Sequence, residues 1–161
     1  MIASPFNVLF LCTGNSARSI LAEATLNHLA GPSGRFHAYS AGSYPKSQPN
    51  PLALALLKRE GISTEGLRSK SWDEFSATGA PPIHLVITVC DQAAGEQCPY
   101  YPGSPLKVHW GVPDPHTEEE FRRAYDILRW RIDRLIELSV ASMARSALLA
   151  RLTEVGASHS S

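Results

Sequence analysis

No stretch of this sequence carries the about 20 consecutive apolar residues that a membrane span requires. No basic run precedes the short apolar segment at Met1-Ile2-Ala3-Ser4-Pro5-Phe6, so no signal peptide is expected. Net charge is also absent: 15 Lys and Arg balance 15 Asp and Glu. General nucleic-acid binding, which is driven by phosphate neutralisation, is therefore not expected. Charged residues make up 19% and hydrophobic residues 43%, which fits neither a disordered chain nor a coiled coil. Cysteine is scarce. Three are present, an odd number and too few for a disulfide scaffold, so they stand out as candidates for chemistry. The 161 residues suit one domain of roughly common size. The expectation is a soluble, cytoplasmic, monomeric domain over 1–161, with an ordered core over about 6–150 and a flexible C-terminal tail.

What is present alternates between strands and helices. Phe6 to Leu11 is a short continuous apolar run, as in a strand buried on both faces. Ile20, Leu21, Ala24, Leu26 and Leu29 then give a helical face that stops near Gly31-Pro32. A second strand is predicted over Phe36 to Ser40, closed by Ala41-Gly42. A short helix follows over Leu52 to Glu60, and a weaker one over Trp72 to Ala77. His84 to Val89 is the clearest third strand, and Leu106 to His109 a short fourth. Thr117 and Glu120 form a capping-box pattern ahead of a helical stripe running from Phe121 to Met143. Arg122, Arg123, Arg129, Arg131 and Arg134 are interleaved with acids and read as a solvated face. The tail from Ala157 is small and polar. The pattern predicts an α/β fold: an open parallel sheet of about four strands with helices on both faces.

The richest local signal is Cys12-Thr13-Gly14-Asn15-Ser16-Ala17-Arg18-Ser19. It falls at the carboxyl end of the first strand, where open α/β sheets bind ligands. Small residues allow the loop amides to curl inward, and the following helix N-terminus adds positive potential. Arg18 offers a planar fork of donors to a tetrahedral oxyanion. That field favours a thiolate at Cys12, and Ser19 is placed to donate a hydrogen bond to it. Taken alone, Cys12 fits a buried structural cysteine better than a nucleophile. The register with Arg18 and Ser19 favours a nucleophile beneath a phosphate-like anion. No Gly-Lys-Ser/Thr follows the first glycine, so this is not the nucleotide-binding P-loop.

The run from Val8 to Ser19 resembles the signature of the low-molecular-weight protein tyrosine phosphatase superfamily. Ser40-Ala41-Gly42 and His109-Trp110-Gly111-Val112-Pro113-Asp114-Pro115 resemble its arsenate reductase branch. The similarity runs from about residue 6 to about 137. It implies an anion site built from Thr13 to Ser19 and a general-acid role for Asp114. It also implies that Asn15, Glu23 and Ser40 stand where relatives hold the anion loop and, in some, a potassium ion. Only the loop-holding role of Asn15 is carried over, and no metal site is expected.

Cys90 and Cys98 bear on the reaction. A parallel sheet brings Cys90 to the edge where Cys12 emerges, and seven residues separate it from Cys98. That spacing is wider than close zinc-ligand pairs, even with His84 or His109 recruited. Three cysteines near one anion site suit a thiol–disulfide relay, because arsenate reduction needs two electrons. Arsenate reductases of this type carry two cysteines in this loop, although here the loop is one residue longer and position 17 is Ala. The resemblance implies arsenate reduction, as in arsenical resistance, with no bound cofactor. The external reductant is either thioredoxin or glutathione with glutaredoxin. Two alternatives stay open. One is a phosphotyrosine hydrolase using Cys12, Arg18 and Asp114 alone; the other is a silent anion-binding or redox-sensing module.

Overall fold

Val8, Leu9, Phe10 and Leu11 are all fully buried, so the first strand runs through the interior, as its unbroken apolar run predicts. The computed structural model describes residues 5–90, 101 and 104–158. Within these, β1 (Phe6–Leu11), β2 (Phe36–Ala41), β3 (Leu85–Thr88) and β4 (Leu106–His109) form one parallel sheet. Its order is β2-β1-β3-β4. Leu11 pairs with Ala41 on one side and Thr88 on the other, and Thr88 pairs with His109. The chain therefore leaves β1 toward one edge and later returns to the opposite side of it. That switch point opens a crevice at the carboxyl ends of β1 and β3.

Among the described residues, four α-helices connect and flank the strands: α1 (Arg18–Ala30), α2 (Pro51–Arg59), α3 (Glu118–Glu137) and α4 (Arg145–Ser158). Side chains alternate along β1. Val8 and Phe10 enter a large core with Ile20 and Leu21 of α1, Leu56 of α2, Leu128 of α3 and Leu152 of α4. Leu9 and Leu11 enter a smaller core with Val86, Tyr101 and Phe75. Phe75 comes from a 3-10 helix over Trp72–Phe75, which replaces the weaker helix expected at Trp72 to Ala77.

One expectation toward the C-terminus is corrected. The stripe read through Met143 belongs to a helix that stops at Glu137, because Leu138 turns extended. The Arg35 guanidinium donates to the carbonyls of Ile136 (3.1 Å) and Leu138 (3.0 Å), satisfying acceptors that a further turn would need. Beyond that helix, α4 runs from Arg145 to Ser158, with Leu148 and Leu152 buried. Gly156 lets it lie against Trp110, since a Cβ there would fall 2.5 Å from Trp110 Cδ1. The Trp110 indole donates to Leu152 O at 2.9 Å. Leu152→Ala should therefore cost about 2–5 kcal/mol, read as a lower urea midpoint at unchanged slope. A midpoint equal to wild type would show that α4 contributes nothing to stability.

The interleaved arginines are not all solvated. Arg131 shares the inner face of α3 with Leu128, Ile132 and Leu135, and it is fully buried. Its guanidinium donates to Gly111 O at 3.1 Å, and burial lowers its affinity for the proton. Flanking acids in the sequence gave no sign that this position falls on the core stripe.

Candidate active site

The Cys12 loop is shaped by where its carbonyls go. Thr13 O accepts from Tyr44 N (2.9 Å), Gly14 O from Lys46 N (2.9 Å) and Ser16 O from Asn50 N (2.8 Å). Asn15 O accepts from Ser69 Oγ at 2.6 Å. All peptides here are trans, so each N–H points opposite to the preceding carbonyl. With the carbonyls of residues 13–16 turned out to the scaffold, the amides of residues 14–17 turn the other way, toward the crevice. Asn15 takes the left-handed conformation the curl demands (φ 45°), which Asn tolerates better than most residues.

Asn15 is fully buried and ties the loop together. Its amide donates to Ser19 Oγ (2.8 Å) and Ser40 Oγ (2.9 Å), and its Oδ1 accepts from Lys70 N (2.9 Å). Ser19 Oγ lies 2.9 Å from Cys12 Sγ. Ser19 Oγ accepts from Asn15 and keeps its own proton, which it can donate to the sulfur when Cys12 is a thiolate. Ser40 in turn donates to Glu23 Oε1 at 2.5 Å.

A cavity of about 790 Å³ opens above the loop. Thr13, Gly14, Ser16, Ala17 and Arg18 line it together with Cys12. Of the expected anion-loop residues, Asn15 and Ser19 lie behind it as supports. Cys90 lines the same cavity, buried, with its Sγ 3.6 Å from Thr13 Oγ1. The sheet register thus brings together two sulfurs far apart in sequence. Asp114 stands at the mouth, 3.4 Å from Arg18 Nη2 and 3.5 Å from His116 Nε2. Arg18 Nη1 donates to Val112 O at 2.8 Å, joining the anion loop to the Asp114 loop, which Arg131 holds from below at Gly111. Cys98 lies outside the described residues.

Sequence reasoning missed the far wall. Tyr44 and Lys46 line the cavity, and the spacing Tyr44-Pro45-Lys46 carries no motif by itself. It also missed Lys70, whose side chain reaches under the loop to 3.9 Å from Glu23 Oε1. Burial pushes the Glu23 carboxyl above its ordinary range, offset in part by Lys70. Burial pushes Lys70 down, offset in part by Glu23. Among the described residues no cluster of three or more His, Cys, Asp or Glu could hold a metal ion. None of the helices described is long and apolar enough to cross a membrane.

Known proteins match the chain in sequence and in fold. An arsenate reductase of Bacillus cereus (strain 03BB102) is 36% identical over 133 residues, covering 81% of this chain and 94% of its own. A solved arsenate reductase in the phosphate binding state superposes with a TM-score of 0.69 at 28% identity, covering 81% of this chain and 96% of that one. The solved thioredoxin-dependent arsenate reductase of Corynebacterium glutamicum gives a TM-score of 0.67 at 26% identity. There the match covers 89% of this chain, which spans 66% of the other's length. Residues 7–147 match the family of low molecular weight phosphotyrosine protein phosphatases. With that match and the arsenate reductase relatives in hand, this chain belongs to the low molecular weight phosphotyrosine protein phosphatase family.

Proposed function

We propose that this protein reduces arsenate to arsenite through a three-cysteine relay. The observation that carries the reading is the cavity shared by Cys12, Cys90, Arg18 and Asp114, which gathers one anion site and two thiols. Arsenate binds the loop amides and the Arg18 fork, which match its tetrahedral charge. The Cys12 thiolate attacks arsenic, and Asp114 supplies the proton for the departing hydroxide. The Cys90 thiolate then attacks Cys12 Sγ. The sulfur–arsenic bond breaks with its electron pair on arsenic, so arsenic falls from the +5 to the +3 state and leaves as arsenite. A Cys12–Cys90 disulfide remains. Cys98 attacks Cys90, frees Cys12 and leaves a Cys90–Cys98 disulfide, which an external dithiol reduces. The Corynebacterium glutamicum relative is named thioredoxin-dependent, which favours thioredoxin over glutathione with glutaredoxin as that donor.

A single turnover tests the relay. Fully reduced protein mixed with arsenate and no reductant should release one arsenite per chain and lose two thiols. Peptide mapping should then find Cys90 joined to Cys98. Absence of arsenite, or arsenite without that disulfide, overturns the proposal. Hydrolysis of a phosphate monoester needs only Cys12, Arg18 and Asp114, which share the same cavity. Aryl phosphate turnover is therefore measured alongside.

A further inference from the structure

Behind the anion loop, on the side away from substrate, lies a buried carboxylate that the proposed mechanism does not use. The Glu23 side chain is 14% exposed, and its Oε1 accepts from Ser40 Oγ. From there a continuous chain of hydrogen bonds runs through Ser40, Asn15 and Ser19 to Cys12 Sγ. A carboxylate in such a place needs a positive charge close by. The resemblance implies that some relatives hold a potassium ion at the positions of Asn15, Glu23 and Ser40, so whether such an ion fits here must be decided from this chain's own residues.

It does not fit. The Lys70 side chain is 7% exposed, and its Nζ stands 3.9 Å from Glu23 Oε1. Nζ also donates to Arg68 O at 2.8 Å, using a carbonyl that a bare cation would need as a ligand. A potassium ion beside Glu23 would share the space with an ammonium and be repelled by it. Arg68, the other cation near Glu23, is engaged on the surface by Glu74 at 2.7 and 3.0 Å. The Lys70 backbone is committed to the same loop: its N–H donates to Asn15 Oδ1 and its carbonyl accepts from Gly42 N. One residue thus fixes Asn15 through its main chain and neutralises Glu23 through its side chain.

We propose that the Lys70 ammonium is a tethered monovalent cation that holds the Glu23–Ser40–Asn15–Ser19 chain in place, so that Cys12 is positioned without a potassium ion. Lys70 is a positioning residue in this scheme. The inference rests on the reading of Cys12 as the nucleophile, but its test uses neither arsenate nor a reductant, so the two fail separately. A cavity of about 220 Å³ bounded by Glu23, Ile62 and Leu67 adjoins the carboxylate and gives a small cation a way in once the ammonium is removed.

The experiment compares melting in KCl and in choline chloride at equal ionic strength. Wild-type protein should melt at the same temperature in both, to within about 1 °C. Lys70→Ala should melt several degrees lower in choline and recover most of the loss in KCl or methylammonium chloride. Lys70→Met fills the volume without the charge, so it should stay low in both salts. The second readout is alkylation of Cys12 by iodoacetamide in a Cys90→Ser/Cys98→Ser background. The rate should fall about tenfold in both Lys70 variants and recover in KCl for the alanine variant alone. A wild-type protein stabilised saturably by KCl over choline overturns the proposal. So does a Lys70→Met protein that alkylates at the wild-type rate. The wild-type comparison needs no variant, so it decides even where a substitution prevents folding.

Discussion

Cys90→Ser protein is expected to turn over arsenate at least about a thousandfold more slowly than wild type while hydrolysing an aryl phosphate within about threefold of it. The reason is a division between two halves of one cavity. Holding the anion and attacking it require the loop, Arg18 and Asp114, all of which keep their own side chains in this variant, although Cys90 borders the loop at Thr13. Removing arsenic from Cys12 as arsenite requires a second sulfur to take the first into a disulfide, and a serine oxygen cannot do that. Serine is nearly the size of cysteine and can keep the contact to Thr13 Oγ1, now at 3.6 Å from Cys90 Sγ. Cys90 is 3% exposed, so the hydroxyl costs stability, on the order of 1–3 kcal/mol if left poorly bonded. Retained aryl phosphate hydrolysis shows that the fold and the anion site survive that cost. Unchanged arsenite production would sink the relay, whereas parallel loss of both activities would mean that Cys90 supports the loop itself.

The first half of the site was legible because its pattern is local. Strand, curl and helix start occupy Phe6 to Arg18, and each step has its own signal: an apolar run, small residues, then a helical face. Thr117 and Glu120 were legible for the same reason. Their two reciprocal bonds, Glu120 N to Thr117 Oγ1 at 3.1 Å and Thr117 N to Glu120 Oε1 at 3.2 Å, join residues three apart. What stayed hidden depends on contacts between distant segments. Arg131 reads as one more surface charge until α3 is rotated onto the core and its fork meets Gly111. Lys70 sits in a polar stretch, Arg68-Ser69-Lys70-Ser71, with nothing to mark which of the four turns inward. α4 carried a faint signal in Leu148, Leu152 and Val155, spaced as one helical face, but Gly156 within it looks like a helix breaker. Only contact with Trp110 gives that glycine its reason.

Gly42→Ala is expected to lower turnover of both arsenate and aryl phosphate about a hundredfold or more while leaving a folded protein. A Cβ at position 42 would lie well within van der Waals contact of the Thr13 carbonyl oxygen, 2.8 Å from Cys12 O and 3.0 Å from Asn15 N. All three are backbone atoms, so no rotamer change relieves the clash. Gly42 cannot retreat either. Its N–H donates to Lys70 O (2.9 Å) and its carbonyl accepts from Trp72 N (3.0 Å), pinning it to the segment that braces Asn15. The anion loop must therefore shift by a large fraction of an ångström, turning the amides of residues 14–17 away from the anion. Strain of this kind costs about 1–3 kcal/mol, which in a chain of this size lowers melting by several degrees. Affinity for inorganic phosphate should fall in step with turnover, because both depend on the same amides. Gly31→Ala is the control: a Cβ there meets nothing within 4 Å, so both properties should match wild type. A Gly42→Ala protein with wild-type phosphate affinity would show that the loop amides do not hold the anion, and that Arg18 binds it alone.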